Sequence, residues 1–135
     1  MTINNETIEA ILNEVLGATA FAAPATTYIG LVTDGPIDDG SGYTEVTGGS
    51  YARVTKTNNV TNWPACVADS REKTNGTTIT FPTPTAPWGS VVGVIITFDA
   101  VAGNAKFYGE FADPETINTG NVFSFGVGQL KVRAL

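Results

Sequence analysis

The chain has 135 residues, a formal net charge of −6 and no histidine. Its length suits one domain, because domains usually contain about 100–150 residues. Its seven Lys and Arg residues are scattered, which disfavours a nucleic-acid or membrane partner, and the absence of histidine excludes Ser-His-Asp and Cys-His catalysis.

An amphipathic helix is predicted near the N-terminus, over residues 6–16. Its apolar residues follow a 3.6-residue period: Ile8, Ile11, Leu12, Val15 and Leu16. Asn4 or Asn5 can cap the start, and Gly17 can adopt the left-handed conformation that ends a helix. A helix this short is not stable alone in water, so its apolar stripe must pack on the β-domain or on a neighbouring subunit.

After Pro24 the sequence is typical of an all-β chain. Strands are predicted at residues 27–32, 51–57, 77–81, 91–98, 105–111, 122–125 and 129–135, with loops at 34–42 and around Pro114. The strand at 91–98 is apolar on both faces and is expected to be the most buried. We predict a mainly β fold, an antiparallel β-sandwich or barrel of about seven strands with one short N-terminal helix. The chain is expected to form a single domain, with an arm and helix in 1–17 and the β-domain in 24–135.

The polar side chains indicate neither a catalytic site nor a metal or cofactor site. The acidic loop from Asp34 to Glu45 lacks the EF-hand spacing, because Pro36 stands at its third position. A carboxylate pair for glycoside hydrolysis could come from Glu110, Asp113 and Glu115, but a solvated acidic loop is the simpler interpretation. We therefore predict no enzyme activity, no cofactor and no metal.

Aromatic residues and the single cysteine allow other roles. Trp63, Trp88 and the tyrosines could form a carbohydrate platform, although core or subunit-interface positions are more usual for such residues. Cys66 cannot form an internal disulfide and is expected to be a small, partly buried apolar residue.

Two short motifs combine glycine, proline and aromatic residues. Gly48 and Gly49 permit a turn that side chains would block, after which Tyr51 and Arg53 share one face of a strand. Three prolines stiffen residues 82–87, and Trp88 is the only large apolar residue that can anchor this segment, so we expect it to be buried. Gly89 then lets the chain turn into the next strand. The motif residues are Gly48, Gly49, Tyr51, Arg53, Pro82, Trp88 and Gly89.

These motifs and several other segments, in order, resemble a family of small virion structural proteins of tailed bacteriophages. The similar segments are residues 18–21, 27–31, 45–53, 81–82, 86–89, 107–109 and 120–130. Members of the family are labelled tail-fibre proteins or capsid cement (decoration) proteins. The segment from Asn58 to Asn75 follows no family pattern.

The resemblance implies a non-enzymatic virion protein made in the bacterial cytoplasm. A fibre shaft needs repeats or heptads, and the sequence has neither. We therefore predict capsid cement that binds the outer capsid surface as a homotrimer, with the major capsid protein as its other partner. The alternatives are a tail-fibre or baseplate component, a host-carbohydrate-binding domain, and a small hydrolase that uses only carboxylates.

Overall fold

The structure, a computed structural model, describes residues 1–133. Ten strands and one helix follow one another in this part of the chain. They are β1 (Thr2–Ile3), α1 (Asn5–Val15), β2 (Thr26–Asp34), β3 (Thr44–Glu45), β4 (Val54–Thr57), β5 (Glu72–Thr74), β6 (Ile79–Thr80), β7 (Gly89–Thr97), β8 (Phe107–Ile117), β9 (Ser124–Phe125) and β10 (Lys131–Arg133). The predicted mainly β class with one short N-terminal helix is confirmed.

Six strands form one antiparallel sheet. Its order is β1-β8-β7-β2-β3, and β4 also pairs with β2, beside β3. Two separate antiparallel ribbons pair β5 with β10 and β6 with β9. Within residues 1–133 the two ends of the main sheet do not pair with each other, so the sheet does not close into a barrel.

The central strands β2 and β7 are buried on both faces of the main sheet. On one face, Ile29, Leu31 and Ile96 belong to a large apolar cluster that also contains Phe81 and Trp88. On the other face, a smaller cluster contains Val32, Ile95 and Ala105. Strand β7 is buried without interruption over residues 93–97, which agrees with the prediction from its two apolar faces.

Helix α1 lies within one residue of its predicted bounds. Asn4 is the cap, and its side-chain oxygen accepts a hydrogen bond from the Thr7 N–H at 3.0 Å. The prediction for Gly17 is wrong, because the residue with left-handed backbone is Ala18, with φ of 51°. The apolar stripe is largely uncovered by the described residues, and its exposed fraction rises from 41% at Ile8 to 82% at Leu16.

Two predicted strand boundaries are wrong for identifiable reasons. Strand β4 starts at Val54 instead of residue 51, because the left-handed turn before it delays pairing. Strand β8 continues through Pro114 to Ile117, because Pro114 lies in a bulge where residues 111–114 face only Val92 of β7 and need no ladder hydrogen bond. A further strand, β5, lies just before Asn75, where the sequence predicts none, because its hydrogen-bond partners come from β10.

Three further strand predictions differ only in extent. The strands predicted over residues 77–81 and 122–125 are reduced to β6 and β9, and the last strand, β10, begins at Lys131 instead of residue 129. The last two residues of that prediction, Ala134 and Leu135, lie outside the described residues. No helix between residues 1 and 133 is long and apolar enough to cross a membrane.

Candidate functional site

The turn from Gly48 to Ser50 has an unusual backbone. Gly48, Gly49 and Ser50 all have positive φ, at 72°, 56° and 63°. Residues with a side chain rarely adopt positive φ. In addition, a Cβ atom on Gly49 would lie only 2.8 Å from the Ala86 carbonyl oxygen. Glycine at position 49 therefore allows the turn to approach the proline-rich segment closely.

Hydrogen bonds join this turn to the proline-rich segment. The Gly49 carbonyl oxygen accepts bonds from the Trp88 indole Nε1 at 2.9 Å and from the Thr85 N–H at 3.1 Å. The hydroxyls of Ser50 and Thr85 lie 2.9 Å apart. The two sequence motifs therefore meet in space and form one site.

Trp88 stands at the centre of this contact. It is 5% exposed, so its predicted burial is confirmed. Its ring meets the Tyr51 ring edge to face, with centroids 5.3 Å apart, and Tyr51 also stacks on Phe81 at 6.3 Å. Edge-to-face aromatic pairs of this kind add roughly 0.5–1.5 kcal/mol beyond the burial of their area.

The Tyr51 hydroxyl connects the aromatic layer to the main sheet. It accepts a hydrogen bond from the Leu31 N–H at 2.8 Å and donates one to Glu45 Oε1 at 2.7 Å. Leu31 lies in the centre of β2 and is fully buried. The Tyr51 hydroxyl thus gives the Leu31 N–H of β2 a hydrogen-bond acceptor, and it also positions the Glu45 carboxylate.

Arg53 forms a bidentate ion pair with Glu45. Its Nε donates to Oε1 at 2.8 Å and its Nη2 donates to Oε2 at 2.7 Å. The Arg53 side chain is only 3% exposed and that of Glu45 is 19% exposed. Such forked guanidinium–carboxylate pairs are among the strongest and most directional hydrogen bonds in proteins.

The remaining donors of Arg53 hold the loop that follows β7. Its Nη1 donates to Thr97 Oγ1 at 2.9 Å and to the carbonyl oxygens of Asp99 at 2.7 Å and Ala102 at 2.9 Å. Its Nη2 also donates to the Tyr43 hydroxyl at 3.0 Å, which in turn donates to the Gly103 carbonyl oxygen. With every nitrogen of Arg53 bonded within the chain, the guanidinium has a structural role: it joins the start of β4 to β3, to the end of β7 and to the loop that follows β7.

The electrostatics of the site follow from this burial. Burial, and then the hydrogen bond to Glu45, raise the pKa of Tyr51 far above its ordinary value. Burial lowers the pKa of Arg53, but the hydrogen bond and negative charge of Glu45 raise it by more, so the net shift is upward. Both shifts oppose any acid–base role near neutral pH.

The raised pKa of Tyr51 predicts a loss of stability at alkaline pH. Above its ordinary pKa of 10.0 the unfolded chain releases the phenolic proton while the folded chain retains it. The free energy of unfolding should therefore fall by up to about 1.4 kcal/mol per pH unit above pH 10 from this group alone. Urea unfolding between pH 8 and about pH 11 measures the slope, and Tyr51→Phe should flatten it. Equal slopes for the two proteins would contradict the prediction.

The other two motif residues lie at the borders of the site. Gly89 has φ of 83° and begins β7, where it pairs with Ile117 of β8. Pro82 is half-buried and precedes the buried Pro84. That these two residues belong to the structural motif remains a prediction.

The sequence motifs missed Glu45, the residue on which Tyr51 and Arg53 converge. It falls in the acidic loop considered for calcium, but its carboxylate is bound by Arg53. The available signal was the arginine itself, because an Arg on the inward face of a strand needs a carboxylate partner. Asn75 was also missed: it is 1% exposed, and its side chain bonds Leu130 N and the carbonyl oxygens of Thr77 and Gly126.

The carboxylates weighed as a catalytic pair lie on the surface, and the tryptophans weighed as a carbohydrate platform lie in the core. Between residues 1 and 133, no group of three or more Cys, Asp or Glu side chains could hold a metal ion. Glu110, Asp113 and Glu115 are all exposed, and a bulge in β8 separates the first from the last. Trp63 and Trp88 are both buried, so they form no exposed carbohydrate platform.

Cys66 is exposed, so its predicted partial burial is wrong. It lies between β4 and β5, in the segment that follows no family pattern. We expect a thiol reagent such as dithiobis(nitrobenzoate) to modify the Cys66 thiol of the native protein within minutes, at one thiol per chain. Modification only after addition of denaturant would show that the thiol is covered in solution.

One comparison with known proteins gives a match. The family model described as "Podophage GP4 fiber I protein gp80" matches residues 2–133, which is nearly the whole chain. No curated protein matches. The match confirms the predicted family of phage virion structural proteins, and its description agrees with the tail-fibre alternative better than with capsid cement.

Proposed function

The chain belongs to the podophage fiber I protein family, and we propose that it is a non-enzymatic structural subunit of the tail fibre. The observation that carries the proposal is the family match over residues 2–133, and the saturated network around Arg53, Glu45 and Tyr51 supports a structural role for the motif residues. A network of this kind rigidifies a β-unit and leaves no free base or nucleophile in the site that the two motifs form.

Within the fibre, the proposed role of the chain is to form a compact unit and not part of the shaft. Shafts depend on repeats or heptads along the chain, whereas the central strands of this sheet are buried between two apolar clusters of one β-unit. Such a unit suits a fibre base, joint or tip, where several copies are held side by side.

Electron microscopy of virions tests the location. An antibody against this chain should label the tail, and particles made without the chain should lack fibre density while their heads keep their stability. Label over the outer head surface, or heads that burst more easily without the chain, would instead support cement on the major capsid protein.

We further propose that the subunit acts as a homotrimer. The exposed apolar stripe of α1 supports self-association, because a short amphipathic helix gains its stability from packing. Light scattering at micromolar concentration should report three times the chain mass of 14.1 kDa. A monomer of 14.1 kDa under those conditions would contradict the proposal.

A further inference from the structure

The chain contains a single Asn–Gly dipeptide, Asn75–Gly76, directly after β5. Asparagine followed by glycine is the dipeptide most prone to deamidation, because glycine has no side chain to hinder the attack of its backbone nitrogen on the Asn side chain. Asn75 is nevertheless one of the most buried polar residues of the described chain, at 1% exposure. The structure gives a physical reason for each of the two residues.

Gly76 has no room for a side chain. A Cβ atom at this position would lie 2.2 Å from the Thr61 carbonyl oxygen and 2.8 Å from two ring carbons of Pro64. These separations are far shorter than the ordinary carbon–carbon contact of about 3.5–4.0 Å. Any other residue at position 76 would therefore displace the segment that precedes β5.

Asn75 uses its whole carboxamide group. Its Oδ1 accepts a hydrogen bond from the Leu130 N–H at 2.9 Å, and its Nδ2 donates to the carbonyl oxygens of Thr77 and Gly126, both at 2.9 Å. Its backbone N–H donates to the Leu130 carbonyl oxygen, and its own carbonyl oxygen accepts from the Gly128 N–H. Only a carboxamide combines an acceptor with two donors on a side chain this short, so Asn75 fastens the turn before β10 to the end of β5.

Deamidation needs atoms that the fold holds in place. In the reaction the Gly76 backbone nitrogen bonds to the Asn75 side-chain carbon and closes a five-membered succinimide ring. The Asn75 side-chain nitrogen departs as ammonia with the proton that Gly76 loses, and water then opens the ring to aspartate or isoaspartate. In the folded chain the Gly76 N–H donates to the Asn62 carbonyl oxygen at 2.7 Å, the leaving nitrogen keeps its two hydrogen bonds, and burial excludes water.

We propose that Asn75–Gly76 is a deamidation site gated by folding. It reacts in unfolded chains and is protected in folded ones, and a chain that has reacted no longer forms the β5–β10 ribbon. Aspartate would place an ionised oxygen where Nδ2 now donates, against the carbonyl oxygens of Thr77 and Gly126. Burial of a carboxylate against acceptors is strongly unfavourable, and isoaspartate would also lengthen the backbone at the turn. Chains that fold late are therefore lost to assembly, wherever the subunit lies in the virion.

The rate of deamidation tests the protection by the fold. Wild-type protein is held in mildly alkaline buffer with and without guanidinium chloride, and peptide mass spectrometry follows Asn75. The folded chain should react at least about 100-fold more slowly, because the reaction needs local opening of the structure. Ala102→Asn supplies the matched control: it creates a second Asn–Gly pair at an exposed position whose backbone, with φ of 52°, is already left-handed and suits asparagine. The new pair should react in the folded protein while Asn75 of the same molecule does not.

Refolding tests the consequence of the reaction. Wild-type protein is aged in guanidinium chloride until part of it has deamidated, and is then refolded and separated by size-exclusion chromatography. Deamidated chains should be absent from the folded peak. Asn75→Asp should lower the ratio of folded to unfolded protein at least about 100-fold, because the buried carboxylate replaces a bonded amide. Asn118→Asp, at an exposed position, should fold like the wild type.

The remaining outcomes overturn one part of the proposal or the other. Equal rates with and without guanidinium chloride, or no reaction of Asn75 in the unfolded chain, would exclude a site gated by folding. Deamidated chains in the folded peak, or an Asn75→Asp protein as stable as the wild type, would exclude the loss of the ribbon. None of these results bears on the position of the subunit in the virion, which the labelling experiment decides.

Discussion

Replacing Arg53 with methionine is expected to lower the free energy of unfolding by about 3–5 kcal/mol. The substitution leaves the Glu45 carboxylate, 19% exposed, without its bidentate partner. It also removes the donors to Thr97, Asp99 and Ala102 that hold the loop after β7. Since domains are stable by only about 5–15 kcal/mol, this one change should remove a large share of the total.

Urea unfolding followed by tryptophan fluorescence measures this loss. Arg133→Met is the matched control, because Arg133 is exposed and should change stability by less than about 0.5 kcal/mol. Arg53→Lys should fall between the wild type and Arg53→Met, since lysine keeps the charge but cannot form the fork. If Arg53→Met unfolds at the same urea concentration as the wild type, the ion pair does not hold the sheet together.

A double substitution separates the contribution of the Arg53–Glu45 ion pair to stability from the cost of leaving the Glu45 charge without its partner. Buried ion pairs replaced together by apolar residues are often neutral, whereas loss of one partner is strongly destabilising. Arg53→Met with Glu45→Leu should therefore recover part of the stability lost in Arg53→Met alone. Recovery should be incomplete, because the Tyr51 hydroxyl and the carbonyl oxygens around Arg53 still lose their partners.

The sequence predicted the elements whose residues show a clear hydrophobic period or an apolar composition. The stripe of α1 and the apolar run of β7 each have a clear period or composition, and both elements were predicted to within a few residues. Strands of two or three residues, such as β1, β3 and β5, have no such signal. They exist because a distant partner supplies their hydrogen bonds, as β10 does for β5 across more than 50 residues.

The residues of the candidate site also divide into those that have a local sequence signal and those that depend on a distant partner. Glycines, prolines and aromatic residues marked the turn at 48–50 and the segment before Trp88, because each of these residues constrains its own backbone or volume. Glu45 gave no such signal, since a carboxylate in a polar loop looks solvated until the fold brings Arg53 to it. The convergence of the two motifs is a tertiary contact that no spacing in the chain could encode.

Trp88→Ala is expected to cost about 3–5 kcal/mol of unfolding free energy, the usual range for truncating a buried Trp. Trp88 is 5% exposed and lies against Tyr51 in the large apolar cluster. The truncation would leave a cavity beside Tyr51 and would also remove the hydrogen bond to the Gly49 carbonyl oxygen. Thermal or urea unfolding by circular dichroism measures the loss, because the variant has lost one fluorescent reporter.

Trp88→Phe separates the loss of unfolding free energy into a part from ring packing and a part from the hydrogen bond to Gly49. Phenylalanine keeps most of the buried ring but cannot donate to Gly49, so we expect a smaller cost than for alanine, of about 1–3 kcal/mol, from the lost hydrogen bond and the smaller ring. Because the Thr85 N–H still donates to the Gly49 carbonyl oxygen and the Ser50 and Thr85 hydroxyls still meet, the turn at 48–50 should keep two of its three hydrogen bonds to the proline-rich segment. The Ala variant should therefore be unstable and fail to enter particles, while the Phe variant should still assemble. A Trp88→Ala protein that melts like the wild type yet is absent from virions would show that Trp88 is a contact residue of the assembled fibre and not an anchor of the fold.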